Sequence, residues 1–299
     1  MKILFSMAAF LLILPLTAMK GEPEAYRLFD VSGKKVSWDK MVKQASQADV
    51  ILFGELHDNA MVHWLELKLT QALFAADTQL VLGAEMFEAD DQLLIDEYFA
   101  GQIRGKNFES EAKIWNNYKT DYKPILEFAR EHNLRFVGTN IPRRYASYVN
   151  YHGLEGLDSL SEEAKKYLPP LPVAYNSTLP AYKGMLDMMK GMESSHVNEN
   201  LPKAQAVKDA TMAHFIIENL RPGYRFLHFN GSYHSDNFES ISWYLKQSSP
   251  EINIVTISCV EQDTITELDE ENSGIADFII AVPSDMTKTY INSMPGGGS

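Results

Sequence analysis

The sequence predicts an α/β fold in which helices flank a mainly parallel sheet and a smaller helical subdomain is inserted. Short apolar runs alternate with longer stretches of helical periodicity along most of the 299 residues. Strands that alternate with helices need crossover connections, which favour a parallel sheet covered on both faces. The alternation lapses between Tyr145 and Leu201, where prolines cluster and no strand-like run occurs, and we interpret this interval as the insertion.

Six apolar runs have the length and the polar boundaries of buried strands. They are Ala48 to Glu55, Gln79 to Phe87, Leu134 to Asn140, Tyr224 to Gly231, Asn253 to Val260 and Ala276 to Pro283. Helical spacing fills most of the intervals, as in Val62, Leu65, Leu69 and Leu73. We therefore predict a discontinuous core domain (22–144 and 205–284), a helical insertion (145–204) and a disordered tail (285–299).

Residues 1–18 have the pattern of a secretory signal peptide, with Lys2 before an apolar run and small residues after it. The run is shorter than the roughly 20 apolar residues that span a bilayer. We therefore expect an exported protein that is periplasmic, extracellular or on the cell surface. The single cysteine, Cys259, lies in the apolar run from Asn253 to Val260, so we expect a buried thiol, no intramolecular disulfide and no cysteine-linked lipid anchor.

The charge balance argues against nucleic acid as a partner. Acidic residues number 40 against 27 basic ones, which gives a formal net charge of -13. A surface that tracks phosphates is usually basic. A metal ion, or a neutral or cationic ligand, fits this composition better.

Polar side chains gather where four of the predicted strands end, which is where ligands bind in open α/β sheets. Glu55 and His57 follow the first strand, Glu85 lies in the second, Asn140 ends the third and His234 follows the fourth. Imidazoles and carboxylates in this combination suit a metal site or a hydrolase with a general base. In one alternative, Glu55, His57 and His234 bind a divalent metal ion. In the other, His57 is oriented by Glu55 or Glu85 and deprotonates water, and the spacing does not distinguish the two.

Five ordered segments resemble the ChaN-type haem-binding uptake proteins, whose wider superfamily includes erythromycin esterases and Tiki-type proteases. The segments are GELHDN (54–59), AEMFEADDQ (84–92), TNIPRR (139–144), AQAVKDATMAHFI (204–216) and NGSYH (230–234). The resemblance implies haem binding in iron acquisition, a tyrosine ligand to the haem iron and a homodimer that brings two haems together. It also implies partners among outer-membrane haem transport components. Many relatives are lipoproteins, and this chain departs from them in lacking an N-terminal cysteine.

The insertion contains a candidate haem-binding face. Tyr182, Met185, Met189, Met192 and His196 recur at intervals of three and four, which places them on one face if the segment is helical. Methionines adapt to flat ligands, and tyrosine and histidine ligate haem iron. The same pattern also fits the buried seam of a helix.

Tyr182 is the first candidate for the iron ligand and Tyr175 the second, with His196 and Met189 as further haem candidates. In the helix predicted after Leu201, Gln205 and Asp209 lie one turn apart. They either reach the strand ends, which the resemblance favours, or belong to a solvated face. Haem binding is therefore the leading hypothesis. The alternative is a hydrolase that uses Glu55, His57, Glu85 and His234, with or without a metal.

Overall fold

Seven strands form a single sheet in the computed structural model, which describes residues 24–191 and 198–289. The strands are β1 (Arg27–Asp30), β2 (Val50–Glu55), β3 (Leu80–Glu88), β4 (Arg135–Asn140), β5 (Arg225–Gly231), β6 (Ile254–Gln262) and β7 (Phe278–Pro283). Their order across the sheet is β1-β7-β6-β2-β5-β3-β4. Every neighbouring pair is parallel except β1 with β7, so the predicted mainly parallel sheet is confirmed.

Ten α-helices connect and cover these strands in the described ranges. They are α1 (Trp38–Ala45), α2 (Ala60–Ala76), α3 (Gln92–Phe99), α4 (Gly105–Glu111), α5 (Lys123–Glu131), α6 (Arg143–His152), α7 (Glu162–Lys165), α8 (Pro180–Gly191), α9 (Leu201–Asn219) and α10 (Ile241–Ser248). Within the same ranges, no helix is both long and apolar enough to cross a membrane. The predicted signal peptide and His196 lie outside the described residues, as does the side chain of Met189.

The six predicted strands correspond to β2 through β7, because a parallel strand covered on both faces is a nearly continuous apolar run. All six residues of β2 are buried, and this strand lies at the centre of the sheet. Phe53 and Leu65 belong to the core on one face, while Leu52 and Ile216 belong to the core on the other. Strand β1 was not predicted, since its four residues are too few to give a pattern.

The insertion is helical, and helices α6, α7 and α8 lie within or beside its predicted range. A small core of its own forms around Val149, Leu157 and Leu168, and it includes Val207 from α9. The insertion therefore packs against the first half of α9, next to the strand ends.

The chain after β7 runs back towards the strand ends. The backbone N–H of Thr289 donates to the carbonyl of Asp58 at 2.8 Å, and its hydroxyl donates to Asp121 Oδ2 at 2.7 Å. Lys288 forms ion pairs with Asp58 and Glu261. These contacts hold residues 288 and 289 against the strand ends.

Candidate functional site

A cleft of about 610 Å³ lies at the carboxyl ends of β2, β3, β4 and β5. Its lining combines both predicted histidines, several polar groups and a few apolar side chains. The lining residues are His57, Glu85, Glu88, Ile114, Trp115, Asn116, Asn117, Asn140, Ile141, Arg143, Lys208 and His234. The predicted convergence of the strand ends is thus present in the structure, because parallel strands end at the same edge of a sheet.

Glu55 is buried beneath the cleft and orients His57. Its Oε1 accepts hydrogen bonds from the Tyr122 hydroxyl and from His57 Nδ1, each at 2.7 Å. The His57 ring packs edge-on against Trp115, with 4.9 Å between the ring centroids, and its side chain is 35% exposed. Burial opposes a charge on His57, but the hydrogen bond and the charge of Glu55 outweigh burial and raise the pKa of His57.

Gly231 allows His57 to lie directly against the end of β5. A Cβ atom at this position would be 2.7 Å from His57 Nε2, which is closer than van der Waals contact permits. The backbone N–H of Gly231 donates to Glu85 Oε2 at 2.8 Å and so fixes that carboxylate. The NGSYH segment therefore has glycine at position 231 because a larger residue would collide with His57.

His234 lies between two buried carboxylates. Its Nε2 is 3.1 Å from Glu85 Oε1, and its Nδ1 is 2.5 Å from Asp209 Oδ1. Burial opposes the charge of His234, but the two carboxylates outweigh it and raise its pKa to about 10. Burial likewise works against the charge on Glu85, yet His234 and His57 hold the pKa of Glu85 well below its usual range. Gln205 Nε2 lies within hydrogen-bonding distance of the His234 ring, so both predicted partners on α9 reach this histidine.

Tyr182 points into the protein and not towards a ligand. It is fully buried, and its hydroxyl donates to Asp209 Oδ2 at 2.7 Å. Burial, reinforced by the charge of Asp209, raises the pKa of Tyr182. In this conformation the hydroxyl of Tyr182, the first candidate for the iron ligand, is hydrogen-bonded inside the fold.

One hydrogen-bonded chain links the insertion to the cleft, from Tyr182 through Asp209 and His234 to Glu85. The insertion face and the strand-end cleft are formed by segments that are far apart in the chain. Helix α9 joins them because it packs against both the insertion and the sheet.

The second tyrosine candidate, Tyr175, is half-buried in the loop before α8. Its ring centroid lies 5.6 Å from that of Tyr182, and burial raises its pKa. Its hydroxyl has no hydrogen-bond partner among the described residues. Two further haem candidates, His196 and the Met189 side chain, lie outside the described part of the chain.

The charges at the rim of the cleft include two cations. Arg143 is 71% exposed and its Nε donates to Glu88 at 2.7 Å, and Lys208 on α9 also lines the cleft. Arg143, His57 and His234 are each paired with a carboxylate, so these charges largely offset one another at the cleft.

The predicted metal ligands Glu55, His57 and His234 do not form a compact donor set. Within residues 24–191 and 198–289, the group whose donor atoms lie within 4.8 Å of one another is Glu55, His63 and Glu66. His63, Glu66, Trp115 and Tyr122 were not among the predicted site residues. The available signal was a pair of ionisable residues three apart in the apolar face of α2.

Comparisons with known proteins agree with this architecture. Residues 41–245 match the family described as haem-binding uptake, Tiki superfamily, ChaN. A structure of ChaN from Campylobacter jejuni with cofacial haem has a TM-score of 0.63 and 18% identity, covering 85% of this chain and 96% of that chain. The type III effector HopBA1 gives a TM-score of 0.47 at 12% identity, covering 82% of this chain and 92% of that chain. A mutant of the erythromycin esterase EreC in its open conformation gives a TM-score of 0.45 at 12% identity, covering 87% of this chain and 83% of that chain.

Comparison with curated proteins finds no match. The likeness to the Campylobacter jejuni structure, at 18% identity, establishes a shared fold. The family match over residues 41–245 covers more than half of the chain and includes all four strand ends that form the cleft. This chain therefore belongs to the ChaN family of haem-binding uptake proteins in the Tiki superfamily.

Proposed function

We propose that this protein binds haem in iron acquisition, as an exported homodimer in which a tyrosine of each chain ligates the haem iron. The family match across residues 41–245 carries the proposal, because that region contains both the cleft and the helical insertion. The partners proposed with it are a second copy of the chain and haem transport components of an outer membrane.

The surface around the first turn of α8 suits a flat, largely apolar ligand. Tyr175 packs against Tyr182 here, and Tyr233 is 45% exposed while its hydroxyl donates to the carbonyl of Ala181. Met188, further along α8, is 69% exposed. Aromatic and methionine side chains pack well on a macrocycle, and a phenolate ligates ferric haem iron. These features support Tyr175 as the ligand, with His196 and Met189 as further contacts.

Replacing Tyr175 with phenylalanine is expected to remove the phenolate-to-iron charge-transfer band and to weaken haem binding by about tenfold or more. The measurement is an optical titration of the mature protein with ferric haem. Tyr182→Phe is the matched control, because Tyr182 lies in the first turn of α8 against Tyr175 but has its hydroxyl bonded to Asp209. An unchanged band in Tyr175→Phe, or its loss in Tyr182→Phe, would contradict the assignment to Tyr175.

The proposed homodimer and the proposed export are each tested by an experiment of their own. Sedimentation velocity with and without haem measures the oligomeric state, and a haem-loaded monomer would refute the dimer. Fractionation of cells that express the full 299-residue chain tests export, since the predicted signal peptide would then be removed.

A hydrolase is the second candidate, and the arrangement of His57 favours it. The imidazole lines the cleft while its Nδ1 is held by the buried Glu55, which is how a carboxylate orients a histidine general base. Because Glu55 raises the pKa of His57, the neutral base becomes available only at higher pH than for an ordinary histidine. Activity by this route would increase as the pH rises through that pKa.

If the hydrolase function holds, His57→Gln is expected to lower the rate of ester hydrolysis by about 100-fold or more, which is the usual worth of a general base. The rate is measured with p-nitrophenyl acetate as a function of pH, and haem binding is titrated in the same variant. His152→Gln, an exposed histidine at the end of α6, is the control. Equal rates in His57→Gln and the unmodified protein would exclude His57 as the base, and loss of haem binding in folded His57→Gln would place haem at the cleft.

A further inference from the structure

A second ionisable cluster lies behind His57, on the side away from the cleft. It consists of Glu55 at the end of β2 and of His63 and Glu66 on α2. His63 Nδ1 is 3.3 Å from Glu66 Oε2 and 3.7 Å from Glu55 Oε2. The three side chains are at most 4% exposed. Asn59 fixes their placement, because its side chain accepts the N–H groups of Met61 and Val62 and begins α2 one turn before His63.

Two carboxylate oxygens of this cluster, Glu55 Oε2 and Glu66 Oε1, are buried, and they have no hydrogen-bond partner apart from a proton shared between the two carboxyl groups. A buried acceptor left unsatisfied is costly, and two neighbouring carboxylates also repel each other. Burial, together with the charge of Glu55, raises the pKa of Glu66 well above its usual range. A metal ion between the two carboxylates would contact both oxygens and would replace the protons that His63 and Glu66 hold there.

We propose that Glu55, His63 and Glu66 bind one divalent transition-metal ion in the interior of the protein. One donor atom from each residue already lies within 4.8 Å of the other two. Two carboxylate oxygens and one imidazole nitrogen suit borderline ions such as Zn²⁺, Mn²⁺ and Fe²⁺. On binding, the ion would displace the proton of His63 Nδ1 and the proton of Glu66, and its two positive charges would take their place beside the two carboxylates.

The surroundings of His63 support binding through Nδ1. The other ring nitrogen, Nε2, is 3.3 Å from the carbonyl oxygen of His57 and 3.4 Å from Asp121 Oδ2. Metal-binding histidines usually donate their second N–H to a carbonyl or a carboxylate, which fixes the tautomer. Asp121 is itself held by Asn117 at 2.6 Å and by Thr289 at 2.7 Å.

The proposed ion would be coupled to the cleft without lying in it. Glu55 would use Oε2 for the metal, and its Oε1 already accepts from His57 Nδ1 and from the Tyr122 hydroxyl. This set differs from the trio predicted from sequence, because His63 and Glu66 take the places of His57 and His234. The ion would withdraw electron density from Glu55. Glu55 would then raise the pKa of His57 by less than it does without the ion.

The test measures metal content and thermal unfolding in the haem-free mature protein. The chain is refolded with excess Zn²⁺ or Mn²⁺, since the ligands are buried, and then dialysed and subjected to elemental analysis. We expect about one ion per chain and a metal-dependent rise in Tm, because an ion that binds only the folded state stabilises it. Anomalous diffraction at the metal edge would then locate the ion among the three side chains.

Glu66→Gln is the decisive variant, because glutamine keeps the shape of a protonated glutamate but is a poor metal ligand. We expect its metal-free Tm to remain close to that of the unmodified protein while metal affinity falls by about 100-fold or more. Glu88→Gln changes another buried carboxylate, on β3, and should leave metal binding unchanged. No bound ion in the unmodified protein, or equally tight binding by Glu66→Gln, would overturn the proposal and leave a hydrogen-bonded cluster. Haem is absent throughout, so the result is independent of the haem proposal.

Discussion

Asp209→Ala is expected to lower the free energy of unfolding by about 3–5 kcal/mol, the range for breaking a buried ion pair from one side. Asp209 is fully buried and contacts His234 through one oxygen and the Tyr182 hydroxyl through the other. Alanine would leave the buried His234 imidazolium with one of its two carboxylates and would deprive the buried Tyr182 hydroxyl of its carboxylate acceptor. Equilibrium unfolding in urea measures the change.

Two further variants separate the loss of a buried ion pair from the loss of any carboxylate on α9 and from the loss of the Tyr182 hydrogen bond. Glu218→Ala removes an exposed carboxylate from the same helix, so we expect a change within about 0.5 kcal/mol. Tyr182→Phe removes a single hydrogen bond to Asp209 and should cost about 1 kcal/mol. A loss below about 1 kcal/mol in Asp209→Ala would mean that water or a rearranged neighbour replaces the carboxylate, which would contradict the rigid hydrogen-bonded chain described above.

Stability is expected to decrease as the pH rises from about 6.5 towards about 10. The folded-state pKa of His234 is raised to about 10 from the ordinary value of 6.5, so over this interval the folded protein keeps a proton that the unfolded chain releases. The contribution is complete below about 6.5 and is lost as the pH passes the folded pKa. The pKa of Glu85 is lowered, so its contribution is present above 4.5 and is lost as the pH falls.

The measurement is the urea dependence of unfolding across that pH range, with His234→Gln as the test variant. We expect the variant to have a shallower dependence, since the titrating imidazole is gone. Part of the slope should remain, because the pKa of His63 is also raised to about 10. His152→Gln alters an exposed histidine and should keep the full slope. A flat profile in the unmodified protein would show that His234 is not charged in the fold.

The sequence was sufficient to predict the sheet and the edge where the functional side chains meet. Strands β2 to β7 are apolar runs because both faces of a parallel sheet are covered, and this pattern is local. The positions of Glu55, His57, Glu85 and His234 followed from one rule, that parallel strands end at the same edge. Strand β1 gave no such signal, since four residues at the end of a sheet show little periodicity.

The surroundings of each polar side chain were not predictable in the same way. Helical spacing placed Tyr182 on a face of α8 but did not show that this face packs against α9, where Asp209 accepts the phenol hydrogen. His63 and Glu66 stood among apolar residues of α2 without a visible partner, because Glu55 reaches them only when β2 and α2 pack together.

The sequence by itself therefore determined the α/β class, the strand ends that meet and the family, since these depend on patterns and motifs along the chain. Tertiary structure alone decided which tyrosine hydroxyl lies inside the fold, which histidines are paired with two carboxylates and which carboxylate oxygens lack a partner. Those properties depend on distances of a few ångströms between segments that are far apart in the chain. Burial then fixes the charge of each group through its neighbours.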